Sequence, residues 1–263
     1  MSLTGKTKAS TYKDILQMDN SNNGVDTSAR FVKDGEGNIS CISISDDNLV
    51  VMPQDDDTIA VLRVRDKDGN NLLLVDSTND LVKAGAGQHI VNTNIKEFNL
   101  PSISGYPATA DTWTALSAMG HARFVTVVTM GTGSTPATSF TIATTADDMV
   151  QVYFYVPFNI TIDACHVWFG ADAASGDVVK FSVMSYTARA DNGSSSGDLS
   201  GGVENCVSPS PTITGAGYEQ AYYQALTVST ADVDAGKVIM ACVSQDGTNA
   251  DLGINMQLVY HLR

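Results

Sequence analysis

At 263 residues, 43% apolar and 17% charged, the chain is long enough for a real core yet carries well under the roughly 25% charge of an average soluble domain. Ser, Thr, Asn and Gly take the place of the missing charge, which favours strands and turns over charged amphipathic helices. A net charge of −14 repels phosphate backbones and anionic headgroups, so nucleic-acid binding is excluded and the acidity reads as a solvated surface.

Cys41, Cys165, Cys206 and Cys242 show neither CxxC spacing nor a disulfide framework, and Cys165 and Cys242 sit in apolar runs as buried free thiols do. The opening residues Met1 to Lys6 lack the apolar region of a secretory signal, and no apolar run approaches the ~18 residues of a membrane span. The expectation is a soluble protein made in a cytoplasm, without membrane insertion.

In chain order, residues 1–37 are polar and turn-rich. One short helix is expected over Thr11 to Met18, where Thr11 and Asp14 have capping-box spacing and Tyr12, Ile15 and Leu16 share a face. Two turns are not stable alone in water, so this segment needs something to dock on, and Tyr12, Ile15 and Leu16 are its candidate anchoring residues. Asn20 to Gly24 ends the helix as loop.

Residues 38–97 read as short strands cut by acidic turns. Ile39 to Ile44 leads through Asp46-Asp47-Asn48 to Leu49-Val50-Val51. Ala60 to Arg65 and Asn71 to Val75 flank Asp66-Lys67-Asp68-Gly69-Asn70, a hairpin signal. Leu81-Val82-Lys83 follows as another strand, then an extended connector through Ala84 to Asn94. Some sixty residues of such short strands make a weak core alone, whereas three copies around one axis would bury an inward face; a homotrimer is therefore expected.

Residues 98–263 carry longer strands. Val150 to Phe158 alternates, and Ile254, Met256, Leu258, Tyr260 and Leu262 alternate against Asn255, Gln257, His261 and Arg263. Phe124 to Met130, Ile160 to Phe169, Val178 to Met184 and Lys237 to Val243 are further strands. The expectation is an all-β chain in three parts: an N-terminal anchor with one small helix, a β-hairpin shaft, and a jelly-roll-like β-sandwich over 98–263.

Catalytic chemistry finds little footing. His89, His121, His166 and His261 lie near no nucleophile motif, and there is no phosphate-cradling glycine loop. Cys165 and His166 face opposite ways on a strand, and His166 shares a face with Ile162, Ala164 and Trp168, as a histidine at the core edge would. Asp66 to Asn70 opens like a calcium loop, but an EF-hand needs Gly sixth and Glu twelfth, where Asn71 and Ser77 stand; a hairpin turn is the better reading. Paired carboxylates for sugar hydrolysis depend on a separation that sequence does not give. No catalytic residue, cofactor or metal ligand is assigned, and the protein is expected not to be an enzyme. Two loops are candidate recognition elements instead: 191–202, with Asn192 and Ser195, and 218–223, with Tyr218, Tyr222 and Tyr223.

The runs Ser10 to Val25 and Lys33 to Asn38 resemble the N-terminal segment of structural proteins of tailed bacteriophages. Leu62 to Asp76 is similar to hairpins in the shafts of phage head and tail fibres. The resemblance covers about residues 10–83. It implies an N-terminal virion anchor docked on a capsid or tail protein, a trimeric shaft, and an outward C-terminal knob that caps the fibre or binds host surface glycan. The expected location is the virion surface, after assembly in the host cytoplasm. The expected function is a capsid-attached fibre or decoration subunit; the alternative is a tail-associated receptor-binding protein. A tail-spike depolymerase is disfavoured, since it needs a long parallel β-helix and no repeated strand-turn register is visible.

Overall fold

The computed structural model describes residues 16–18, 20–21, 23–85, 87, 89–100, 110–119, 128–141, 151–171, 178–188, 198–209, 220–247 and 252–263. They belong to two compact units, Met1–Val91 and Asn92–Arg263. Among the described residues the regular structure is strand throughout, save Gln151 and Val152, which are helical.

The first unit holds two four-stranded antiparallel sheets. One runs β1 (Gln17–Met18), β2 (Arg30–Lys33), β3 (Ile39–Ile44), β4 (Leu49–Val51); the other runs β5 (Leu62–Arg65), β6 (Asn71–Asp76), β7 (Leu81–Ala84), β8 (His89–Ile90). The helix expected over Thr11 to Met18 is corrected at its end, because Gln17 and Met18 pair with Lys33 and Val32 as strand. Pairing across a sheet edge supplies backbone partners that a two-turn helix cannot find alone.

These sheets contain a tandem repeat that the sequence reading did not see. Each strand start recurs 32 residues later: Arg30 and Leu62, Ile39 and Asn71, Leu49 and Leu81. The ladders repeat as well, with Ile42↔Val51 and Ser43↔Val50 in one sheet matched by Leu74↔Lys83 and Val75↔Val82 in the other. A repeated strand-turn register is therefore present, but it is an antiparallel meander and not a parallel β-helix.

The turn inside the repeat is built by one aspartate. Asp34 accepts the N–H groups of Glu36 and Asn38 on Oδ1, both at 2.9 Å, and the Asn38 amide on Oδ2 at 2.7 Å. Asp66 does the same with Asp68, Asn70 and the Asn70 amide, each at 2.9 Å. Gly37 and Gly69 close the turns at φ of 94° and 89°, a region that L side chains rarely adopt. With both oxygens of Asp66 engaged by the loop itself, the 66–70 segment is the hairpin turn and its carboxylate is a staple. Hydrogen bonds from the Asn38 and Asn70 side chains, then from their backbone N–H groups, hold both carboxyls below the ordinary aspartate value.

Both aspartates have folded-state pKa values depressed below the unfolded value, so their stabilisation is present above about pH 4 and is lost as pH falls through the folded value. Circular dichroism or hydrogen exchange on residues 30–90 should show these turns loosening below about pH 4. D34N and D66N should flatten that acid dependence, and an unchanged profile in the double variant would count against the staples.

The second unit is one curled sheet of eleven strands. Its strands are β9 (Thr93–Leu100), β10 (Thr114–Ala115), β11 (Phe140–Thr141), β12 (Tyr153–Tyr155), β13 (Ile160–Ala171), β14 (Val179–Ala188), β15 (Asp198–Val207), β16 (Gln220–Val228), β17 (Asp232–Val233), β18 (Lys237–Gln245) and β19 (Leu252–Leu262). The path runs β10-β18-β14-β15-β16-β13-β19-β9, with β11 on β15, β12 on β18 and β17 on β13. Among the described residues its two halves, β10-β18-β14-β15 and β16-β13-β19-β9, join through the residue pairs Cys206↔Val228 and Val207↔Thr227.

Side chains from both halves meet in one apolar cluster. Val167 and Phe169 of β13 and Met256 and Leu258 of β19 pack with Phe181 and Val183 of β14 and Ile239 and Ala241 of β18. The opposite face of β14 and β18 is buried too: Met184, Tyr186, Met240 and Cys242 form a second cluster with Trp113, Met130 and Val152. Burial on both faces explains why Val238 to Val243 reads as an unbroken apolar run, while β19, apolar on one face, alternates. Cys165, Cys206 and Cys242 are buried free thiols.

Several expectations change here. The connector after Ala84 contains β8 and the start of β9, and β9 pairs with β19 along its whole length, Ile254↔Leu100 to His261↔Thr93. The division read at 97/98 passes through this strand. Val150 to Phe158 shortens to β12, because Gln151 and Val152 leave the strand conformation. The loop read over 191–202 becomes β15 from Asp198 onward, and the loop read over 218–223 enters β16 at Gln220. Of Phe124 to Met130, only 128–130 lie within the described residues, and Thr129 forms an isolated bridge with Thr114.

Phe181 is fully buried and tilts against Phe169 with ring centroids 5.1 Å apart. F181A should cost the second unit about 3–5 kcal/mol in a denaturant titration. A cost below about 1 kcal/mol would mean that the two halves do not share this core.

Candidate functional site

Strand β13 decides which side chains the second unit shows to solvent. Its register against β19 shifts between Ile162 and Ala164, so Asp163 is the extra residue of a bulge. Ile162 is buried before the bulge; after it Cys165, Val167 and Phe169 point inward and His166 and Trp168 outward. This corrects the face assigned to His166: it shares a side with Ala164 and Trp168 but not with Ile162, and it stands on the solvent side. Asp163 is bonded to His261 Nδ1, 2.9 Å from Oδ1 and 3.0 Å from Oδ2, which ties the bulge to β19.

On the outward face the registers align residues into cross-strand rows. Asn99, Asn255, Trp168 and Tyr223 form one row across β9, β19, β13 and β16; Glu97, Gln257, His166 and Ala225 form the next. Trp168 is 55% exposed and Tyr223 51%, unusual for large aromatics that a core could have taken. Their rings meet at 4.9 Å between centroids, tilted by 46°. The Tyr223 hydroxyl is 2.8 Å from His166 Nδ1, and the two rings stack at 5.9 Å.

Around the aromatics the chemistry is amide and carboxylate. Asn255 donates to Asn99 Oδ1 at 2.6 Å, leaving the Asn255 carbonyl and the Asn99 amide N–H groups for another partner. Gln257 donates to Glu97 Oε1 at 3.3 Å. Neither row contains Lys or Arg. The neighbouring Lys96 shares the inner side with Phe98, where its Nζ donates to the Ala118 carbonyl at 2.5 Å and lies 5.5 Å from the Phe154 ring centre. Burial holds its pKa below the ordinary lysine value, against the opposing pull of Glu97.

The residues singled out from sequence are placed unevenly. Leu16 is 71% exposed just before β1, while Tyr12 and Ile15 lie outside the described residues. Asn192, Ser195 and Tyr218 also lie outside them. Tyr222 faces the core side and stacks on Phe169, centroids 5.0 Å apart and 15° between planes, so it packs the interior. Tyr223 alone of these joins the outward face. Trp168, His166, Asn255, Gln257, Asn99 and Glu97 were missed as a group, because their meeting depends on the pairing of four strands.

The first unit presents a surface of another kind. Its buried described side chains are all polar: Asn20, Ser43, Ser45 and Asp76. Neither apolar cluster includes any residue before Phe98. Large apolar side chains stay in solvent at matching repeat positions: Val50 and Val82 are 40% and 41% exposed, Ile59 and Val91 both 62%. Leu49, beside Val50 in β4, and Leu72 in β6 are exposed as well.

Among the described residues no three His, Cys, Asp or Glu side chains gather in metal-binding geometry, and no helix is long and apolar enough to cross a membrane. The Cys165 thiol is pushed well above its ordinary pKa, first by its hydrogen bond with Cys206 and then by burial, which leaves it neutral and unreactive. No protein-family model matches the chain, and no curated protein matches it either.

Trp113, with Nε1 bonded to the Gly133 carbonyl at 3.0 Å, is 2% exposed, and the chain has only two tryptophans. Acrylamide quenching should therefore divide the emission into a shielded and an accessible fraction. W168F should remove the accessible one; a single accessible class persisting in that variant would contradict the placement of Trp168.

Proposed function

We propose that this protein is a non-enzymatic structural subunit of a tailed-phage virion surface, a capsid-attached fibre or decoration protein that works as a homotrimer. In this reading the N-terminal residues dock on another virion protein, the 32-residue repeat forms the shaft, and the C-terminal unit is a jelly-roll-like β-sandwich held outward. The observation that carries it is that no apolar side chain is fully buried among the described residues of the first unit. Folded strands whose buried side chains are all polar, with Val50, Val82, Ile59 and Val91 in solvent at equivalent positions, gain their apolar burial from other chains. A repeat that presents the same apolar positions at a fixed interval suits winding around a shared axis. The resemblance of residues 10–83 to phage fibre segments points the same way.

The oligomer is tested on the full chain by native mass spectrometry, where three-subunit particles are expected. A single-subunit mass at micromolar concentration would overturn the reading. V50D with V82D places charge at two equivalent positions of the repeat and should shift the trimer to smaller species, while the second unit keeps its own unfolding transition. Immuno-electron microscopy should put the label on the capsid; label confined to the tail would favour the alternative, a tail-associated receptor-binding protein.

A further inference from the structure

We infer that the outward face of β9, β19, β13 and β16 is a binding platform for a neutral oligosaccharide, with Trp168 and Tyr223 under one sugar ring and Asn255, Asn99, Gln257 and Glu97 along the hydroxyls of the rest of the chain. The inference stands on the second unit and holds whether or not the protein belongs to a virion.

A pyranose has one face of C–H groups and an edge of hydroxyls that both donate and accept. The C–H face meets the negative face of an aromatic ring, and the hydroxyls meet amides and carboxylates. The outward rows offer that combination in register: two half-exposed rings 4.9 Å apart, beside a pair of asparagines with a donor and an acceptor unused. Across four strands a row measures roughly 14 Å, room for a short oligosaccharide. The His166 contact at 2.8 Å fixes the Tyr223 ring before a ligand arrives, which reduces the ordering cost of binding.

Charge selects the class of sugar. Glu97 is exposed, neither row holds a cation, and Lys96 is turned to the inner side. A carboxylated or sulfated sugar would meet a carboxylate without a counter-charge, so the site favours neutral saccharides. A second copy of the chain is a poorer occupant, because a stable subunit interface has an apolar centre and a polar rim. Here the two aromatics are bordered by amides and a carboxylate. Each site should bind weakly; three on one particle would raise avidity, and that gain, though not the site, depends on the trimer.

The full chain is titrated with diacetylchitobiose, lactose, cellotriose and maltotriose as neutral probes, and with sialyllactose and digalacturonate as anionic ones, following Trp168 emission and ligand saturation-transfer signals. At least one neutral probe should bind, with its ring protons saturated most strongly, and the anionic probes should not. W168A and Y223A should each weaken that binding about tenfold or more, while Y223F, which keeps the ring, should lose much less. N255A, away from the rings, should lose affinity with emission still responding. E97K should admit the anionic probes. Failure of every neutral probe, preference for an anionic one, or unchanged binding by W168A would overturn the proposal. So would a fall in particle mass caused by W168A alone, which would make this face a subunit contact; the same mass measurement on the unaltered chain tests the trimer separately.

Discussion

A strand that alternates between core and solvent can be reversed by a single extra residue, and β13 uses one. With Asp163 counted into the bulge, Cys165, Val167 and Phe169 enter the core while His166 and Trp168 reach solvent. Without it, a one-residue slip would turn the core set outward and drive an imidazole and an indole inward, at the cost of every apolar contact along the central ladder. The contact between Asp163 and His261 sits at this decision point and binds the bulge to the neighbouring strand. The core cluster and the aromatic face are thus two consequences of one local irregularity.

The two units hold their strands by different physics. In the second, strands β14 and β18 are buried on both faces, so apolar burial does most of the work, and the Ser182 and Tyr186 hydroxyls donate to Glu204 Oε1 at 3.0 Å and to the Ala137 carbonyl at 2.8 Å. In the first, local hydrogen bonding replaces it. Asp34, Asp66 and Asp76 each gather backbone N–H groups and one asparagine amide, and Asp76 lies 3.9 Å from Lys83 as well. Such staples fix turns well but bury almost no apolar area, and Leu49, Val50, Leu72 and Val82 of that unit are exposed.

The all-β character was legible from composition, since low charge with abundant Ser, Thr, Asn and Gly leaves few other outcomes. Strands β13, β14, β18 and β19 were legible because each combines length with a strong pattern. Strands β15 and β16 were not: Gly201, Gly202 and Glu204 disguise one as loop, and Tyr222-Tyr223 in the other looks like a recognition segment until pairing sends the first ring inward. The repeat escaped notice because it is conserved in turn geometry and register more than in residue identity; Asp, Gly and Asn recur at 34, 37 and 38 and at 66, 69 and 70, but the strands between them differ. Apart from Tyr223 the outward face could not be read, because Asn99 and Tyr223 come into one row only after three ladders have formed.

The excess negative charge takes on a more specific meaning in this light. A solvated acidic coat would leave its carboxylates interchangeable, yet Asp26, Asp34, Asp66 and Asp76 each hold a defined set of donors and have pKa values lowered by them. Part of the charge is therefore structural, holding turns in the unit whose described residues include no buried apolar side chain. Glu97 belongs to neither group: it is exposed, bonded only weakly to Gln257, and stands on the same outward face as Trp168, two strands away. A carboxylate in that position contributes little to folding; on the oligosaccharide platform proposed above, its effect falls on which charged groups can approach.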